Sequence, residues 1–516
     1  MVMDINCGRT RRGVGVTSIW RENNPLRVGC FRSGDGFPGG GGVPGSKFNK
    51  MTLDDLFAKI DLRGKPVLVR VDFNVSDPKT GKIKSDARIK AALQTILELK
   101  EKGAKVVIIS HNDDPHKLVK SFETAADPLG EAMKKLTLEP VACRLKNLLK
   151  EKNGKLNVLF VPFISGGYVE AAAAEMGKND ILVLENTRMD KRDTAAPPKG
   201  KENDEAEIAK AKMLREQFAE DIINSVKPVA LVQEGFAVFH RINGSTTGVA
   251  AVIKRKGGVV VAGRLVEQEI RIFGEKILQS PQYPFVFFSG GSKVQSKVEI
   301  LINLVTKVNK LVIGGAMVWA FFKALGYKGI GEHPLKLSAV DTEKEIEMAK
   351  KVLAAKDAKQ KVILPGQLVV FNGTNFKDID LKNGETVPEG YTIADISPNE
   401  VKKIASGLGK IGTVVWNGDF GYTNVMVEGN PDLSRKFQEK FMQGTLAVID
   451  YLSKVYDDGG VVAAGGGDSE KSVKEHAKER GLEKPKLTLL STGGGAMLDL
   501  LANGTLPGIE AIDNKS

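Results

Sequence analysis

The chain is poor in cysteine and in aromatic residues. Its 516 residues include three cysteines, Cys7, Cys30 and Cys143, and their spacing matches neither a metal-ligand set nor a redox pair. They fit a reducing compartment without a disulfide framework. Aromatics make up 6% of the sequence, and no dense block of Lys and Arg occurs. The net charge of +12 therefore reads as suited to anionic metabolites. Nucleic acid, which calls for clustered cations with stacking rings, is not expected as a partner. No apolar run nears the roughly 18 residues that cross a bilayer, so no membrane partner is expected either. What remains is ordinary globular material, 42% hydrophobic and 27% charged, long enough for at least two domains with separate cores.

Residues 1–50 differ from the rest, with many glycines and six arginines against three acids. They read as a disordered or targeting extension, with Met51 as an alternative start. A regular α/β alternation begins at Met51. Strand-like runs occur at Pro66–Phe73, Lys105–His111, Asn157–Phe163, Asp180–Asn186 and Lys227–Glu234. Helical stretches such as Lys90–Lys102 and Leu138–Lys152 lie between them. Strands alternating with helices predict a parallel sheet covered on both faces. The pattern resumes near Tyr283, after a stretch of helical periodicity at Leu265–Ser280. The expected fold is α/β: two doubly wound parallel-sheet lobes facing a cleft, 51–262 and 283–501, joined by a helical hinge at 263–282.

In the second half, five short β-type runs end in glycines and small polar residues: FVFFSGGSK from Phe285, LVIGGAM from Leu311, TVVWNGDFG from Thr413, VVAAGGGDS from Val461 and LTLLSTGGGA from Leu487. Glycine lets backbone come close to a ligand, and in open α/β sheets ligands lie off the carboxyl ends of the strands. Amides exposed there, often at a helix start, form a phosphate-holding surface. The first half carries other chemistry at its strand ends: Asp72 and Asn74, His111, Arg188, and His240 with Arg241, while Arg88 opens a helix. Guanidinium groups bind oxyanions bidentately. Together these residues suit a small phosphorylated, carboxylated ligand.

With these motifs in view, the sequence resembles the phosphoglycerate kinase family from about Met51 to Ile512. V-R-V-D-F-N-V, D-A-R-I-K-A-A-L, L-E-N-T-R, G-G-S-K-V-Q-S-K, V-V-W-N-G, G-G-G-D-S, S-T-G-G-G-A and a late L-P-G all occur in order. The resemblance implies phosphoryl transfer between 1,3-bisphosphoglycerate and ADP by a monomer, with Mg2+ carried on ATP or ADP. Residues 502–516 would return to the first lobe. Arg88 and Lys293 would be catalytic. Asp72, Asn74, Arg88, His111, Arg188 and Arg241 would hold phosphoglycerate. Gly290, Gly291, Lys297, Gly314, Gly315, Asn417, Gly466, Gly467, Asp468, Ser469, Gly494 and Gly495 would bind nucleotide, with Asp468 on the metal. A cytoplasmic location is implied, or an organellar one if residues 1–50 are a transit segment.

The sequence also departs from the family pattern. S-H-L-G-R-P reads Ser110-His111-Asn112-Asp113-Asp114-Pro115, which puts an acid where a phosphate-binding arginine is expected; Lys117 or His116 is the nearest substitute. Phe239 stands in place of a small residue. Asn424 stands at the ribose-binding glutamate unless Glu428 has taken that role. A divergent working kinase and a kinase-like protein retained for binding or structure are the two readings these changes leave.

Overall fold

The computed structural model describes residues 3–4, 47–291, 294–295, 297–332, 341–423, 425–427 and 429–515. Runs such as Val67–Val69 and Val106–Ile109 are fully buried, so they are apolar at every position instead of alternating, as strands covered on both faces require. The strands of the first half are β1 (Met3–Asp4), β2 (Pro66–Arg70), β3 (Lys105–Ile109), β4 (Asn157–Phe160), β5 (Asp180–Val183), β6 (Ala230–Gln233) and β7 (Val259–Ala262). They form one sheet in the order β1-β4-β5-β3-β2-β6-β7. Every pairing is parallel except that of β1, which runs antiparallel along the edge of β4. Residues 1–50 are therefore not wholly separate from the first lobe: Met3–Asp4 lengthens its sheet and Phe48 lies in its core.

In the second half come β8 (Phe285–Ser289), β9 (Lys310–Ile313), β10 (Ile330–Glu332), β11 (Val362–Ile363), β12 (Gln367–Phe371), β13 (Phe376–Asp380), β14 (Val387–Ile396), β15 (Thr413–Asn417), β16 (Val461–Gly465) and β17 (Leu489–Ser491). Six make an all-parallel sheet, β11-β9-β8-β15-β16-β17. The five glycine-ended runs all belong to it. The other four strands form a smaller mixed sheet, β10-β14-β12-β13, not anticipated from sequence.

Both parallel sheets are doubly wound, and each reverses direction once, between β2 and β6 and between β8 and β15. A crevice opens at such a reversal beyond the carboxyl ends of the strands.

A helix at Arg264–Glu269 continues as a wider π-type helix, Ile270–Gln279, between the sheets. Its Gly274 leaves room for the ring of Phe48. The far end of the chain returns to the first lobe: Asp513 N–H donates to Val260 O at 3.0 Å and Gly508 N–H to Phe239 O at 2.9 Å. A Cβ on Gly508 would collide with the Phe239 ring, so the bulk of Phe239 is accommodated by glycine. Cys143 is disulfide-bonded, which corrects the expectation of free thiols.

Two buried carboxyls fasten the linking helix at either side. Glu234 accepts from Thr95 Oγ1 at 2.7 Å and from Leu265 N–H at 3.2 Å. Glu269 accepts from Ser491 Oγ at 2.9 Å. Burial pushes each up to about 8. The folded chain thus keeps protons that the unfolded chain releases near pH 4–5, so the contribution of these two groups to stability is greatest in acid and is lost as pH rises from about 5 to about 8. Each group adds a slope of up to about 1.4 kcal/mol per pH unit in that window. Urea midpoints measured across it should fall for the native sequence and flatten in Glu234→Gln and Glu269→Gln; an unchanged slope in both variants would refute this.

Candidate active site between the lobes

The first reversal gathers the basic residues. Arg70 ends β2 fully buried, donates to Val71 O, and lies 3.4 Å from His111 Nδ1 through Nη2. Burial lowers it to about 10. His111 follows β3; burial, then Arg188, Arg70, Arg88 and Arg241, hold its imidazole well below the usual range, so it is neutral. Asp72 sits 3.0 Å from Arg88 Nη1 and 3.8 Å from His111 Nδ1. Arg88 also donates to Asn74 O at 3.1 Å.

Arg188, in the turn after β5, is 6% exposed, and its Nε and Nη2 are buried without a partner. Burial, then Arg241, lowers its pKa. A buried guanidinium with free donors is costly unless an anion supplies acceptors. The fork is therefore prepared for an oxyanion. Asp72, Asn74, Arg88, His111, Arg188 and Arg241 all line one cavity of about 430 Å3.

The opposite wall of that cavity belongs to the second lobe: Thr492, Gly493, Gly494 and Gly495. Gly494 and Gly495, expected on the nucleotide side, thus also face the first-lobe cations. Gly494 begins a helix to Asn503 and Gly467 one to Glu479. These helix starts touch backbone to backbone, since a Cβ on Gly494 would come within 2.7 Å of Gly466 Cα. Gly466 has φ +114°. A Cβ on Gly467 would meet nothing within 4 Å; this residue lines a second cavity, about 740 Å3, whose first-lobe wall includes Asn74, Arg88 and Asp113. Asp468 is exposed in the same first turn.

Strand ends of the second lobe are locked together by buried polar groups. Lys297 Nζ donates to Gly290 O at 2.7 Å and to Asn417 Oδ1 at 2.8 Å. Asn417 Nδ2 donates to Gly465 O at 2.6 Å, and Gly418 N–H to Ser469 Oγ at 2.8 Å. Burial brings Lys297 down to about 8, against the pull of Asp419 and Asp468. Side chains on Gly290, Gly314 and Gly315 would strike the Gly418–Phe420 loop or Gly291, so these glycines serve close packing of the strand-end loops. Gly291 lies beside Lys297 Nζ. Lys293, Asn424 and Glu428 fall outside the described residues.

Several groups at the site were not singled out from sequence. Arg70 is an isolated charge inside V-L-V-R-V, and a cation in an otherwise apolar strand was the available signal. Asp419, 6% exposed, keeps Oδ1 unpartnered, and burial raises it to about 6. A larger groove, about 930 Å3, lies along Pro398–Ile411 and Gln443–Asp458. It is remote from the glycine-rich strand ends, and Arg480 there is paired with Asp450 at 2.8 Å.

An anion pocket at one reversal, facing glycine-rich helix starts beside the other, defines a two-lobed kinase of small phosphorylated metabolites. The sequence model of phosphoglycerate kinase matches residues 57–504. The phosphoglycerate kinase of Pseudothermotoga lettingae is 36% identical over 471 residues, 90% of this chain and 99% of that protein. That of Latilactobacillus sakei is 35% identical over 467 residues, 90% and 100%. Among solved structures, phosphoglycerate kinase from Pyrococcus horikoshii aligns with TM-score 0.67 and 25% identity, covering 89% of this chain and 98% of that one. The Coxiella burnetii enzyme gives 0.62 and 28%, covering 88% and 97%. The chain belongs to the phosphoglycerate kinase family.

Inorganic phosphate in the tens of millimolar should raise the melting temperature by linkage. Arg188→Gln should remove most of that rise while leaving the phosphate-free melting temperature unchanged or higher, because an uncompensated buried charge is lost. Calorimetry with and without phosphate reads both; a full rise in the variant would refute the assignment.

Proposed function

We propose that this chain catalyses reversible phosphoryl transfer between the acyl phosphate of 1,3-bisphosphoglycerate and ADP, yielding 3-phosphoglycerate and ATP. In this reading 51–262 is the phosphoglycerate lobe, 263–282 the hinge and 283–501 the nucleotide lobe, and the protein works as a cytoplasmic monomer. One observation carries it: Arg88 lines both interlobe cavities, and their opposite walls hold Gly467 and Gly493–Gly495. A phosphoryl group passing between the lobes would meet a guanidinium on one side and helix-start amides on the other.

In the forward step a β-phosphate oxygen of ADP attacks the acyl phosphorus, and the P–O bond to the acyl carbon breaks, leaving a carboxylate. Catalysis of such a transfer is positioning and charge stabilisation. Asp72, Asn74, His111, Arg188 and Arg241 hold the glycerate portion. Arg88 and Lys293 stabilise the moving group. Lys297, Asn417 and Ser469 set the strand ends under the nucleotide, and the amides of Gly466, Gly467, Gly494 and Gly495 meet phosphate. Gly290, Gly291, Gly314 and Gly315 shape the loops on the adenine and ribose side.

Among the described residues, no three or more His, Cys, Asp and Glu side chains are grouped for a metal. A Mg2+ borne by nucleotide phosphates needs only one or two carboxylates. Exposed Asp468 fits that demand, with the unpaired Asp419 Oδ1 acting on the same neighbourhood. When bound, the ion neutralises charge on the β- and γ-oxygens. No finding favours a non-catalytic member of the family.

The test is a coupled assay with Mg-ATP and a wide range of 3-phosphoglycerate. Native protein should turn over, and Arg88→Ala should lower kcat by roughly a hundredfold or more. In melting experiments, Asp468→Ala should lose most of the stabilisation by Mg-ADP. No turnover by natively folded protein would overturn the proposal.

A further inference from the structure

Asp113 and Asp114 put two carboxylates on the wall of the anion cavity, and the structure shows how the chain uses them. Asp113 adopts φ +55°; its N–H donates to Asn74 Oδ1 at 2.8 Å, and its Oδ1 accepts from Asp114 N–H at 2.8 Å. Asp114 is 4% exposed. Its Oδ1 accepts from His116 N–H at 3.1 Å, capping the turn Pro115–Leu118, and its Oδ2 lies 3.6 Å from Lys117 Nζ. Both oxygens of Asp114 are thus engaged within its own turn.

That turn carries two basic side chains, and they point differently. His116 Nε2 lies 3.2 Å from Met189 O and does not line the cavity. Lys117 does line it, together with Arg188, whose Nε and Nη2 are unpartnered. The Lys117 side chain is 75% exposed, so its ammonium is free to swing toward a ligand.

We propose that Lys117 is a specificity-determining residue that meets the substrate's phosphate, with Asp114 as the group that caps the turn carrying it. The inference rests on the kinase reading for its substrate, a phosphomonoester carrying a carboxylate. Its binding arm does not need turnover. A lysine here differs from a guanidinium: it is a point charge on a flexible stem, without a fixed fork. Being exposed, it should act strongly at low salt and weakly at high salt.

Lys117→Ala should raise KM for 3-phosphoglycerate by about tenfold at low ionic strength, the effect of one charge-assisted hydrogen bond. KM for Mg-ATP and the melting temperature should stay the same, and the tenfold ratio should shrink as salt is added. Lys117→Arg should restore most of the lost affinity. Asp114→Asn, which still caps the turn, should lower KM by removing a negative charge from the cavity. An unchanged KM in Lys117→Ala, or an increase indifferent to salt, overturns the proposal. If native protein shows no turnover, calorimetric titration with inorganic phosphate takes over. Binding weakened severalfold by Lys117→Ala would then keep this inference while the kinase reading fails, and undiminished binding would end it.

Discussion

Each parallel sheet reverses direction once, and the site is built around the carboxyl ends of the strands at and beside those two gaps. Asp72 and Asn74 leave the strand on one side of the first gap; His240 and Arg241 follow the strand on its other side. Gly290 and Gly418 stand in the same relation to the second. Backbone packing at the second gap is so close that side chains are sterically excluded at Gly290 and Gly418. The oxygen of Gly418 occupies the place where a Cβ on Gly290 would go. The Lys297 ammonium then ties these loops together by donating to Gly290 O and Asn417 Oδ1. Without that tight junction the helix starts at Gly467 and Gly494 would have no fixed footing.

The electrostatics of the two walls differ in kind. On the first lobe, Arg70, Arg188 and His111 are held out of water with Asp72 and Asp193 among the nearby acids, and the pKa directions of all three record the cost of burial. Burial of unpaired donors is tolerated where a ligand will complete them. On the second lobe the buried polar groups are mostly satisfied internally, and what faces the cavity is backbone. One wall therefore selects for charge and the other for shape and amide geometry, a division suited to two ligands that exchange one group.

Much of this was legible from sequence because burial on both faces leaves a strong mark. The five glycine-ended runs were read as strands of one sheet and are. The linking helix at Leu265–Ser280 was visible through its periodicity. The mixed sheet was not: Phe376–Asp380 and Val387–Ile396 are half exposed, carry acids and a proline, and lack a continuous apolar run. Two-residue β1 gave no signal inside a segment rich in glycine and arginine. The six first-lobe residues expected to hold substrate were read at strand ends and, for Arg88, at a helix start, and the structure brings them to one cavity; Arg70 was passed over because it sits inside the apolar run read as the strand. The acid at Asp114 was visible; that it caps its own turn and that Lys117, not His116, lines the cavity depended on side-chain direction.

The return of the chain to the first lobe has a consequence for assembly. Val260 N–H donates to Asp513 Oδ2 at 2.8 Å across 253 positions of sequence, and Met51 N–H donates to Asp513 O. The second lobe is thus an insertion within the first. During synthesis the second lobe is made whole before the segment that closes the first exists. Contacts so distant in sequence carry a large loop-closure cost, and Phe239 has no Gly508 to cover it until the second lobe has been made. The turn leading to Arg241 is therefore closed by residues from the far end of the chain.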